Sequence, residues 1–449
     1  KKIHNLSMTD IHFHNTKSGK KEKFEPIDPE HIKIYVCGPT VYNFVHIGNG
    51  RPAVVFDVLV RLLRLVYPKV TYVRNVTDID DKINNAAIEN NESIQVLADR
   101  FTDAYEEDML TLGVEPPDVT PRATHHIKEI ISMITVLVEK GFAYENEGHV
   151  LFHVPADPLY GELSRRSLDE MVDGARVDIA PYKKDAKDFV LWKPSSQDQP
   201  GWNSPWGSGR PGWHIECSAM ISKHLGQTID IHGGGSDLTF PHHENEAAQS
   251  RCANDSPDYV RYWLHNGMLN LGAEKMSKSL GNVKTIRDLC SKHSGEVLRY
   301  ALLSGQYRSR LAWSDDLVIQ AKSSLDSLYQ SLRDKSGSLT SSDLLINELS
   351  FDQYPKGVTE PLTDDLNTPK ALAAMHDLAA VLQRAESEQE VFAATQMLLA
   401  GGRLLGLLDQ EPETYFKQGS KEASLSEDEI ENLIQERHTA RAEKNFQRA

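Results

Sequence analysis

The sequence predicts an α/β protein: a split, doubly wound, Rossmann-type parallel sheet with an inserted connective domain, followed by an all-helical C-terminal region. Two observations predict this class. A strand–helix–strand pattern occurs near residue 31 and returns after residue 213, with residues of different character between them. From about residue 285 onward, the apolar side chains follow almost only helical periodicity. Because strand–helix–strand units form parallel sheets, we expect the two halves to build one sheet.

The first half begins with an alternating, β-rich run at residues 31–36, which predicts a strand. After a Gly-Pro loop, residues 47–66 have the spacing of a helix with one apolar face. That face consists of Val54, Val55, Val58, Leu59, Leu62 and Leu65. A second strand is predicted at residues 69–73, which completes a βαβ unit. Helical patterns dominate residues 93–141.

The second half is separated from the first by a region of another kind. A hairpin is predicted from residue 142 to residue 154, and residues 155–212, rich in Pro, Gly, Asp and Trp, are interpreted as mostly loop. The α/β pattern then returns. It comprises a helix at 214–225, a strand at 228–232, a glycine turn at 233–235, a helix at 241–253 and a strand at 259–265.

Composition excludes several classes of protein. With 449 residues, 39% hydrophobic and 25% charged, the chain is typical of a globular protein and not of a disordered one. No apolar run reaches the roughly 18 residues of a membrane helix, and no membrane partner is expected. Residues 1–30 are polar and carry no secretory signal. The net charge of -16 argues against nonspecific coating of nucleic acid, although not against a local basic face.

Cysteine usage indicates the compartment. The four cysteines are Cys37, Cys217, Cys252 and Cys290. None forms a CxxC pair, and four in so long a chain do not build a disulfide scaffold. We therefore expect a reduced, cytoplasmic setting.

The segment His46-Ile-Gly-Asn49 lies at the predicted strand-to-helix turn. His46 and Asn49 are three residues apart, so both project from the first helical turn. A helix N-terminus offers free N–H groups and partial positive charge to a phosphate, and Gly48 lets a ligand approach the backbone. The alternative is an ordinary capped helix with incidental polar residues.

A second polar segment, Lys275-Met-Ser-Lys-Ser279, follows a predicted strand and precedes a glycine. Two lysines three residues apart, together with two hydroxyls, suit a mobile clamp on a polyphosphate. The alternative is a solvated surface loop. Because the two segments lie in separate βα halves, a bound nucleotide would bridge the switch point of the sheet.

Four further residues offer donor atoms that Zn²⁺ prefers. They are Cys37, Cys217, His242 and Glu246. Cys37 ends the first strand, which should lie beside the strand at 228–232, and residues 242 and 246 share one helical face. His243 is a competing ligand, but its face of the helix is less compatible with Glu246. The alternative for each residue alone is a buried thiol or a solvated side chain.

The two phosphate segments resemble the HIGH and KMSKS signatures of class I aminoacyl-tRNA synthetases. Asn49 replaces the final histidine of the first signature, and its amide still offers a neutral hydrogen-bond donor. The surrounding residues closely resemble the cysteinyl-tRNA synthetase family. The matching stretches are Cys37-Gly-Pro-Thr-Val-Tyr42, Asn75-Val-Thr-Asp-Ile-Asp-Asp-Lys82, Arg210-Pro-Gly-Trp-His-Ile-Glu-Cys-Ser-Ala-Met220, Asp230-Ile-His-Gly-Gly-Gly-Ser-Asp237 and Pro241-His-His-Glu-Asn-Glu246. The resemblance runs from about residue 24 to the end of the chain and is weakest at its C-terminus.

This resemblance implies a cysteine–tRNA ligase that activates L-cysteine with ATP and Mg²⁺ and then charges tRNA(Cys). It also implies one zinc ion per chain on the substrate thiolate. Zinc favours a thiolate over the neutral hydroxyl of serine, so no editing domain is expected. Four protein ligands normally close a zinc site, and we expect Glu246 to hold the weak position that the substrate displaces. We expect a monomer.

The resemblance also implies roles for site residues. His46 and Asn49 are expected on the ATP phosphates, and Lys275 and Lys278 on the charge that develops in the displacement. The further candidates for ATP binding are Thr40, Gly233, Gly235, Asp237 and Ser277. The candidates for the amino-acid pocket are Cys37, Gly38, Thr77, Trp213 and His232. Asp237 could instead cap the next helix, and Thr77 and Trp213 could be ordinary core or turn residues.

RNA contact is expected at the C-terminal end. One basic stripe with helical spacing, together with a possible stacking residue, consists of Arg437, Arg441, Lys444, Phe446 and Arg448. The alternative is a solvated face paired with glutamates. With the resemblance, the predicted regions are a first catalytic half (1–111), a connective insertion (112–205), a second catalytic half with the KMSKS loop (206–284), a helical stem-contact region (285–350) and an anticodon-binding helical domain (351–449).

Two other functions fit parts of the pattern. One is a cysteine ligase that acts on an amino-sugar acceptor, as in mycothiol biosynthesis, but the long helical C-terminal region argues against it. The other is a non-catalytic regulator that binds zinc and a nucleotide. Intact phosphate segments in both halves argue against that interpretation.

Overall fold

A computed structural model of the protein describes residues 10–167, 180–271, 274–275, 284–337 and 339–419, together with residues 435 and 439. The strands of these residues are β1 (His12–Asn15), β2 (Lys20–Lys23), β3 (Ile32–Val36), β4 (Val70–Arg74), β5 (Ala143–Asn146), β6 (His149–Phe152), β7 (Phe189–Pro194), β8 (Gly209–Pro211), β9 (Ile229–Gly235), β10 (Val260–Asn266), β11 (Leu269–Leu271), β12 (Glu274–Lys275) and β13 (Leu311–Trp313). The α-helices are α1 (Ile47–Val66), α2 (Asp81–Glu89), α3 (Ile94–Thr111), α4 (Ile127–Glu139), α5 (Trp213–Leu225), α6 (Glu244–Asn254), α7 (Ile286–Cys290), α8 (Gly295–Leu303), α9 (Asp315–Lys335), α10 (Lys356–Thr363), α11 (Thr368–Arg384), α12 (Glu388–Leu405) and α13 (Pro412–Gly419).

A four-stranded parallel sheet joins the two halves of the chain. Its order is β10-β9-β3-β4, and every neighbouring pair is parallel. Strand β3 of the first half therefore lies directly beside β9 of the second half, with Ile34 opposite Ile231. This confirms the predicted split sheet. The hairpin of β1 and β2, which the sequence did not predict, covers the β10 edge, where Asn15 Nδ2 donates to the carbonyl of Arg261 at 3.0 Å.

Helix α1 has the predicted bounds and lies at the centre of the fold. Its predicted apolar face is buried from Val54 to Leu62, whereas Leu65 is partly buried. Pro52 lies in the second turn of the helix, where its missing N–H cannot donate the usual i→i−4 hydrogen bond to the Gly48 carbonyl. The largest apolar cluster of the described residues contains both this helix and helices α8 to α12. Helix α1 is thus shared by the sheet and by the C-terminal helices.

The three glycines after His232 do not form the predicted turn. Strand β9 continues through Gly235, pairs with β10 along its whole length and is buried throughout. A Cβ on Gly233 would lie 2.4 Å from the ring of Phe56, so only glycine allows α1 to approach the strand this closely. Packing against α1 therefore extends the strand where local preference favoured a turn.

The insertion contains more regular structure than predicted. Residues 155–212 were expected to be mostly loop, but β7 and β8 lie in this range. They complete an antiparallel sheet of order β5-β6-β7-β8 with the predicted hairpin. Both strands end in proline, a residue that cannot donate to a ladder and that obscures a strand pattern.

The C-terminal region is helical from α7 onward, with one exception to the prediction. Strand β13 pairs in parallel with β11, which pairs with β12, so a small three-stranded sheet lies at the start of this region. Helices α9, α11 and α12 begin at Ser314, Asn367 and Ser387, whose side-chain oxygens accept hydrogen bonds from backbone N–H groups of the first turn. None of the helices in the described part of the chain has the length and apolar character required to cross a bilayer.

Candidate metal centre and active site

The four predicted zinc ligands meet at one point beside the sheet. Cys37 follows β3, Cys217 lies within α5, and His242 and Glu246 lie one turn apart at the start of α6. Cys37 Sγ is 3.9 Å from Cys217 Sγ, 3.6 Å from His242 Nε2 and 3.6 Å from Glu246 Oε1. All four donor atoms lie within 4.8 Å of one another. The adjacency of β3 and β9 produces this convergence from residues up to 209 positions apart.

The donor set fits a zinc ion. Two tetrahedral zinc–sulfur bonds of about 2.3 Å place their sulfurs about 3.8 Å apart, close to the 3.9 Å between Cys37 and Cys217. Two thiolates, an imidazole and a carboxylate are typical zinc donors. Cys217, His242 and Glu246 are buried, so few water molecules compete for the position.

Charge coupling among the four groups sets their ionisation. The hydrogen bond with Cys37 lowers the pKa of Cys217 to about 6, while burial raises the pKa of Cys37 well above its usual value. Burial would raise the pKa of Glu246, but His232 and His242 outweigh it and hold that pKa well below its usual range. Burial would lower the pKa of His242, but Glu246 and Cys217 outweigh it and raise that pKa to about 9. A thiolate and a carboxylate supply part of the negative charge that a dication requires, and Cys37 and His242 would release their protons on binding it.

A second layer of side chains orients the ligands. Glu246 Oε2 lies 2.8 Å from His232 Nε2 and accepts a hydrogen bond from the Tyr259 hydroxyl at 3.1 Å. Oε1 is left facing the thiols. His242 Nδ1 lies 2.9 Å from His214 Nδ1, which fixes the ring so that Nε2 faces the cluster. Outer partners of this kind tune ligand orientation and metal affinity.

His243 reaches the same thiol as the predicted ligands. Its Nε2 lies 3.3 Å from Cys37 Sγ, and Cys37, His232, His243 and Glu246 form a second, overlapping donor set. The expected preference for His242 nevertheless holds at Glu246, where the Nε2–Oε1 distances are 2.9 Å for His242 and 4.0 Å for His243. Both rings face inward because residues 239–243 form a π-helical turn before α6.

The first phosphate segment is also a capped helix start. His46 is the N-cap of α1, and Asn49 Oδ1 accepts a hydrogen bond from the His46 N–H at 3.2 Å. The alternative interpretation as a cap is therefore correct, and it is compatible with anion binding at the same N-terminus. Ile47 N–H donates to the carbonyl of Lys284, and His46 pairs with Thr285 in a β-bridge.

Those two contacts place residues that follow the second segment in sequence against the start of the first. Residues 284 and 285, five and six positions after Ser279, lie against the start of α1. Before those residues, the backbone of Lys275 in β12 pairs with that of Asn270 in β11. Ser277 and Lys278, as well as the side chain of Lys275, lie outside the described residues.

Several predicted pocket residues surround the cluster. Trp213 opens α5, is 41% exposed, and stacks on His242 with ring centroids 4.0 Å apart. Thr40 and Thr77 form a parallel bridge, and the Gly38 N–H donates to Asn75 Oδ1 at 2.8 Å. These residues therefore line the carboxyl end of the sheet, where ligands of open α/β folds bind.

Asp237 does not cap the next helix, which corrects that alternative. The N-cap of α6 is His243, and Asp237 lies in an exposed turn after β9, with Gly235 two residues before it. Its carboxylate is thus available to a ligand. The RNA candidates Arg437, Arg441, Lys444, Phe446 and Arg448 lie outside the described residues.

Sequence reasoning missed Tyr259 and His214. His214 lies within the matching stretch Arg210–Met220 but was given no role there, and Tyr259 belongs to none of the matching stretches. Each lies near the cluster because of the strand order and the crossing of α5 with α6. The one available signal was the abundance of histidine and aromatic residues around the second half of the sheet.

Comparison with known proteins gives the family context. Residues 23–323 match the family described as tRNA synthetases class I (C) catalytic domain, and residues 357–409 match a DALR domain. A cysteine–tRNA ligase of Saccharophagus degradans is 56% identical over 437 residues, which cover 97% of this chain and 93% of that protein. One of Rhodospirillum rubrum is 52% identical, covering 98% of this chain and 94% of that protein.

Solved structures share the fold. A Mycobacterium tuberculosis methionyl-tRNA synthetase in complex with methionyl-adenylate aligns with a TM-score of 0.59 and 16% identity, covering 86% of this chain and 93% of its own. An Agrobacterium radiobacter LeuRS in a ternary complex aligns with a TM-score of 0.60 and 11% identity, covering 87% of each chain. At these identities the likeness concerns the fold alone.

Proposed function

The chain belongs to the family of class I cysteine–tRNA ligases, and on this premise we propose that a zinc site selects its cysteine substrate before ATP activates it. The first step joins L-cysteine and ATP into cysteinyl-adenylate and releases pyrophosphate. The second step transfers cysteine to the 3′-terminal ribose of tRNA(Cys) and releases AMP. The convergence of Cys37, Cys217, His242 and Glu246 is the observation that carries the proposal.

Selection of cysteine follows from the donor chemistry. A zinc ion held by these four residues would act as a Lewis acid toward the thiolate of the substrate and would discriminate against serine. Glu246 is the ligand that the substrate would displace, because its other oxygen, Oε2, already has His232 and Tyr259 as partners and so keeps its charge compensated. Trp213, Gly38 and Thr77 complete the amino-acid pocket beside the cluster.

Activation is a matter of positioning and charge. A carboxylate oxygen of cysteine attacks the α-phosphorus of ATP, the bond to the pyrophosphate oxygen breaks, and Mg²⁺ accompanies the leaving group. His46 and Asn49 present the N-terminus of α1 to the phosphates, with Thr40 nearby. Lys275, Ser277 and Lys278 neutralise the developing charge from the KMSKS loop. Gly233 and Gly235 let adenosine approach the strand, and Asp237 accepts hydrogen bonds from the ribose.

Transfer requires the RNA to span two parts of the chain. A ribose hydroxyl of the tRNA attacks the acyl carbon of the adenylate, and the acyl–phosphate bond breaks. We assign the helical region from residue 351 onward to the anticodon end, with the basic stripe at its C-terminus. The enzyme is proposed to act as a monomer in the cytoplasm, where a reducing environment keeps the free cysteines available to the metal.

Cysteine-dependent exchange of pyrophosphate into ATP tests the proposal. We expect activity that chelation abolishes and zinc restores, with serine nearly inert. Cys217→Ser should bind zinc about 100-fold more weakly or worse and lose exchange. Cys252→Ser is the matched control, because Cys252 is another buried thiol that packs in the insertion cluster, away from the site. Equal activity with serine, or full activity of a metal-free protein, would contradict the proposal.

The amino-sugar alternative receives no support from the comparisons. The Saccharophagus degradans and Rhodospirillum rubrum relatives align over 93% and 94% of their own length, including the helical region that a small acceptor does not need. Charging of a tRNA(Cys) transcript, compared with acylation of an amino sugar, separates the two.

A further inference from the structure

Two arginines donate hydrogen bonds to the C-terminal end of α12 and connect it to α1. Arg61 of α1 donates from Nη1 to the carbonyl of Arg403 at 3.0 Å. Arg299 of α8 donates from Nε to the carbonyl of Leu405 at 2.7 Å. The last carbonyls of a helix have no partner within the helix and carry its partial negative charge, so guanidinium groups are suitable caps. Helix α12 ends there, with Gly406 in the left-handed conformation.

A single carboxylate holds both arginines in place. Asp57 Oδ2 lies 2.8 Å from Arg61 Nε and 2.5 Å from Arg299 Nη2, while Oδ1 accepts the Glu115 N–H at 2.9 Å. Both arginines also donate to the carbonyl of Gly113. Asp57 and Arg299 are buried, and Arg61 is only 15% exposed. We call Asp57, Arg61 and Arg299 the α1–α12 joint.

The joint links the two ends of the proposed reaction. Helix α12 lies within the matched DALR domain at residues 357–409. Helix α1 starts at the phosphate segment, and Arg61 follows Asn49 by 12 residues, or about 18 Å along the helix axis. Attachment to a helix of this length fixes where the bundle lies relative to the edge of the active site.

The side chains of the joint make no contact with the residues proposed to activate cysteine in the described part of the chain. The contacts of Arg61 are with Asp57, Glu115 and the carbonyls of Gly113 and Arg403. These residues are distinct from the zinc cluster and from the first phosphate segment. Loss of the Arg61 contacts should therefore leave the cysteine and ATP sites as they are, while the bundle loses one of its fixed attachments to α1.

We propose that Arg61 is a positioning residue for the transfer step. Its hydrogen bonds hold the C-terminal bundle against α1, so that bound tRNA presents its 3′ end to the adenylate. This inference rests on the proposed function. Misplacement of a reacting group by about 1 Å can cost up to a hundredfold in rate. Cysteine activation, which needs no tRNA, does not depend on the joint.

The test compares three variants in two reactions. Arg61→Gln should keep pyrophosphate exchange within about twofold of wild type and lower kcat/KM for tRNA charging about tenfold or more. Arg61→Lys should charge at an intermediate rate, because an ammonium retains the ion pair with Asp57 but cannot hold both carbonyls as a planar guanidinium does. Arg64→Gln is the matched control, since Arg64 lies on the same helix and its ion pairs are with Glu115 and Asp118. It should resemble wild type in both reactions.

Each contrary outcome has a distinct meaning. Unchanged charging by Arg61→Gln, or charging and exchange that fall in parallel, would overturn the joint as a positioning device. Equal loss in Arg64→Gln would also overturn it, because general surface charge would then explain the effect. A wild-type protein that exchanges pyrophosphate but charges no tRNA would overturn the proposed transfer reaction itself.

Discussion

The hydroxyl of Tyr259 is the outer contact of the metal centre that can be removed most cleanly. It donates to Glu246 Oε2 at 3.1 Å, on the oxygen that faces away from the thiols. Tyr259→Phe deletes this donor and leaves the ring, which is 4% exposed and packs against Trp263 and neighbouring apolar side chains. His232 remains as the other partner of Oε2. The substitution therefore weakens the orientation of Glu246 without creating a large cavity.

The expected magnitude follows from the charge of the acceptor. A hydrogen bond to a charged group contributes about 1.5–3 kcal/mol, which corresponds to roughly a 10- to 100-fold change in an equilibrium constant. The same range describes the loss of metal affinity when an outer partner of a ligand is removed. We expect Tyr259→Phe to bind zinc 10- to 100-fold more weakly than wild type.

Competition with a chromophoric chelator measures this affinity directly, and the absorption of a cobalt-substituted protein gives a second readout of ligand geometry. Tyr262→Phe is the matched control. Tyr262 lies on the same strand, and its hydroxyl donates to the carbonyl of Lys23 at 2.9 Å, away from the cluster. Equal zinc affinities for the two variants would refute the reasoning, as would tighter binding by Tyr259→Phe.

Two further predictions concern stability. Gly38→Ala should lower the free energy of unfolding by about 1–3 kcal/mol in urea titrations, because its Cβ would lie 1.7 Å from the Asn75 carbonyl oxygen; an unchanged midpoint would contradict this close approach. Burial raises the pKa of Asp108 to about 6, above its unfolded value, so the penalty for its charge is relieved as the pH falls below about 6. As the pH falls from 7.5 to 5, the free energy of unfolding of wild type should therefore rise by roughly 1 kcal/mol relative to that of Asp108→Asn. The value is discounted because Arg287, which pairs with Asp108, is partly exposed. Parallel pH profiles of the two proteins would contradict this prediction.

Local sequence patterns predicted the structure correctly where a single element contains the residues that determine its conformation. Helix α1 has the predicted bounds because its apolar face repeats with helical spacing over 20 residues. The four donor residues of the proposed zinc site could be selected from residue chemistry, since thiols, imidazoles and carboxylates are the usual donors. The parallel sheet followed from two strand–helix–strand patterns.

Local patterns failed where a distant partner decides the conformation. Residues 233–235 favour a turn in isolation, but pairing with β10 and contact with Phe56 make them a strand. Strands β7 and β8 carry prolines and a glycine that normally interrupt strands, but β7 pairs with β6 and β8 pairs with β7 nevertheless. Asp237 has the residue type of a helix cap, yet the π-helical turn places His243 at the start of α6.

The sequence by itself determined the fold class and indicated the donor types of the proposed metal site and the two candidate phosphate segments, because these depend on residue type and on spacing within short stretches of chain. Only the tertiary structure decided which side chains support them. Tyr259 contacts Glu246, and Arg61 caps Arg403 from 342 residues away. Periodicity records which face of an element is buried, but the partner across that face is set by strand order and helix crossing. Strand order and helix crossing depend on the free energy of the whole core.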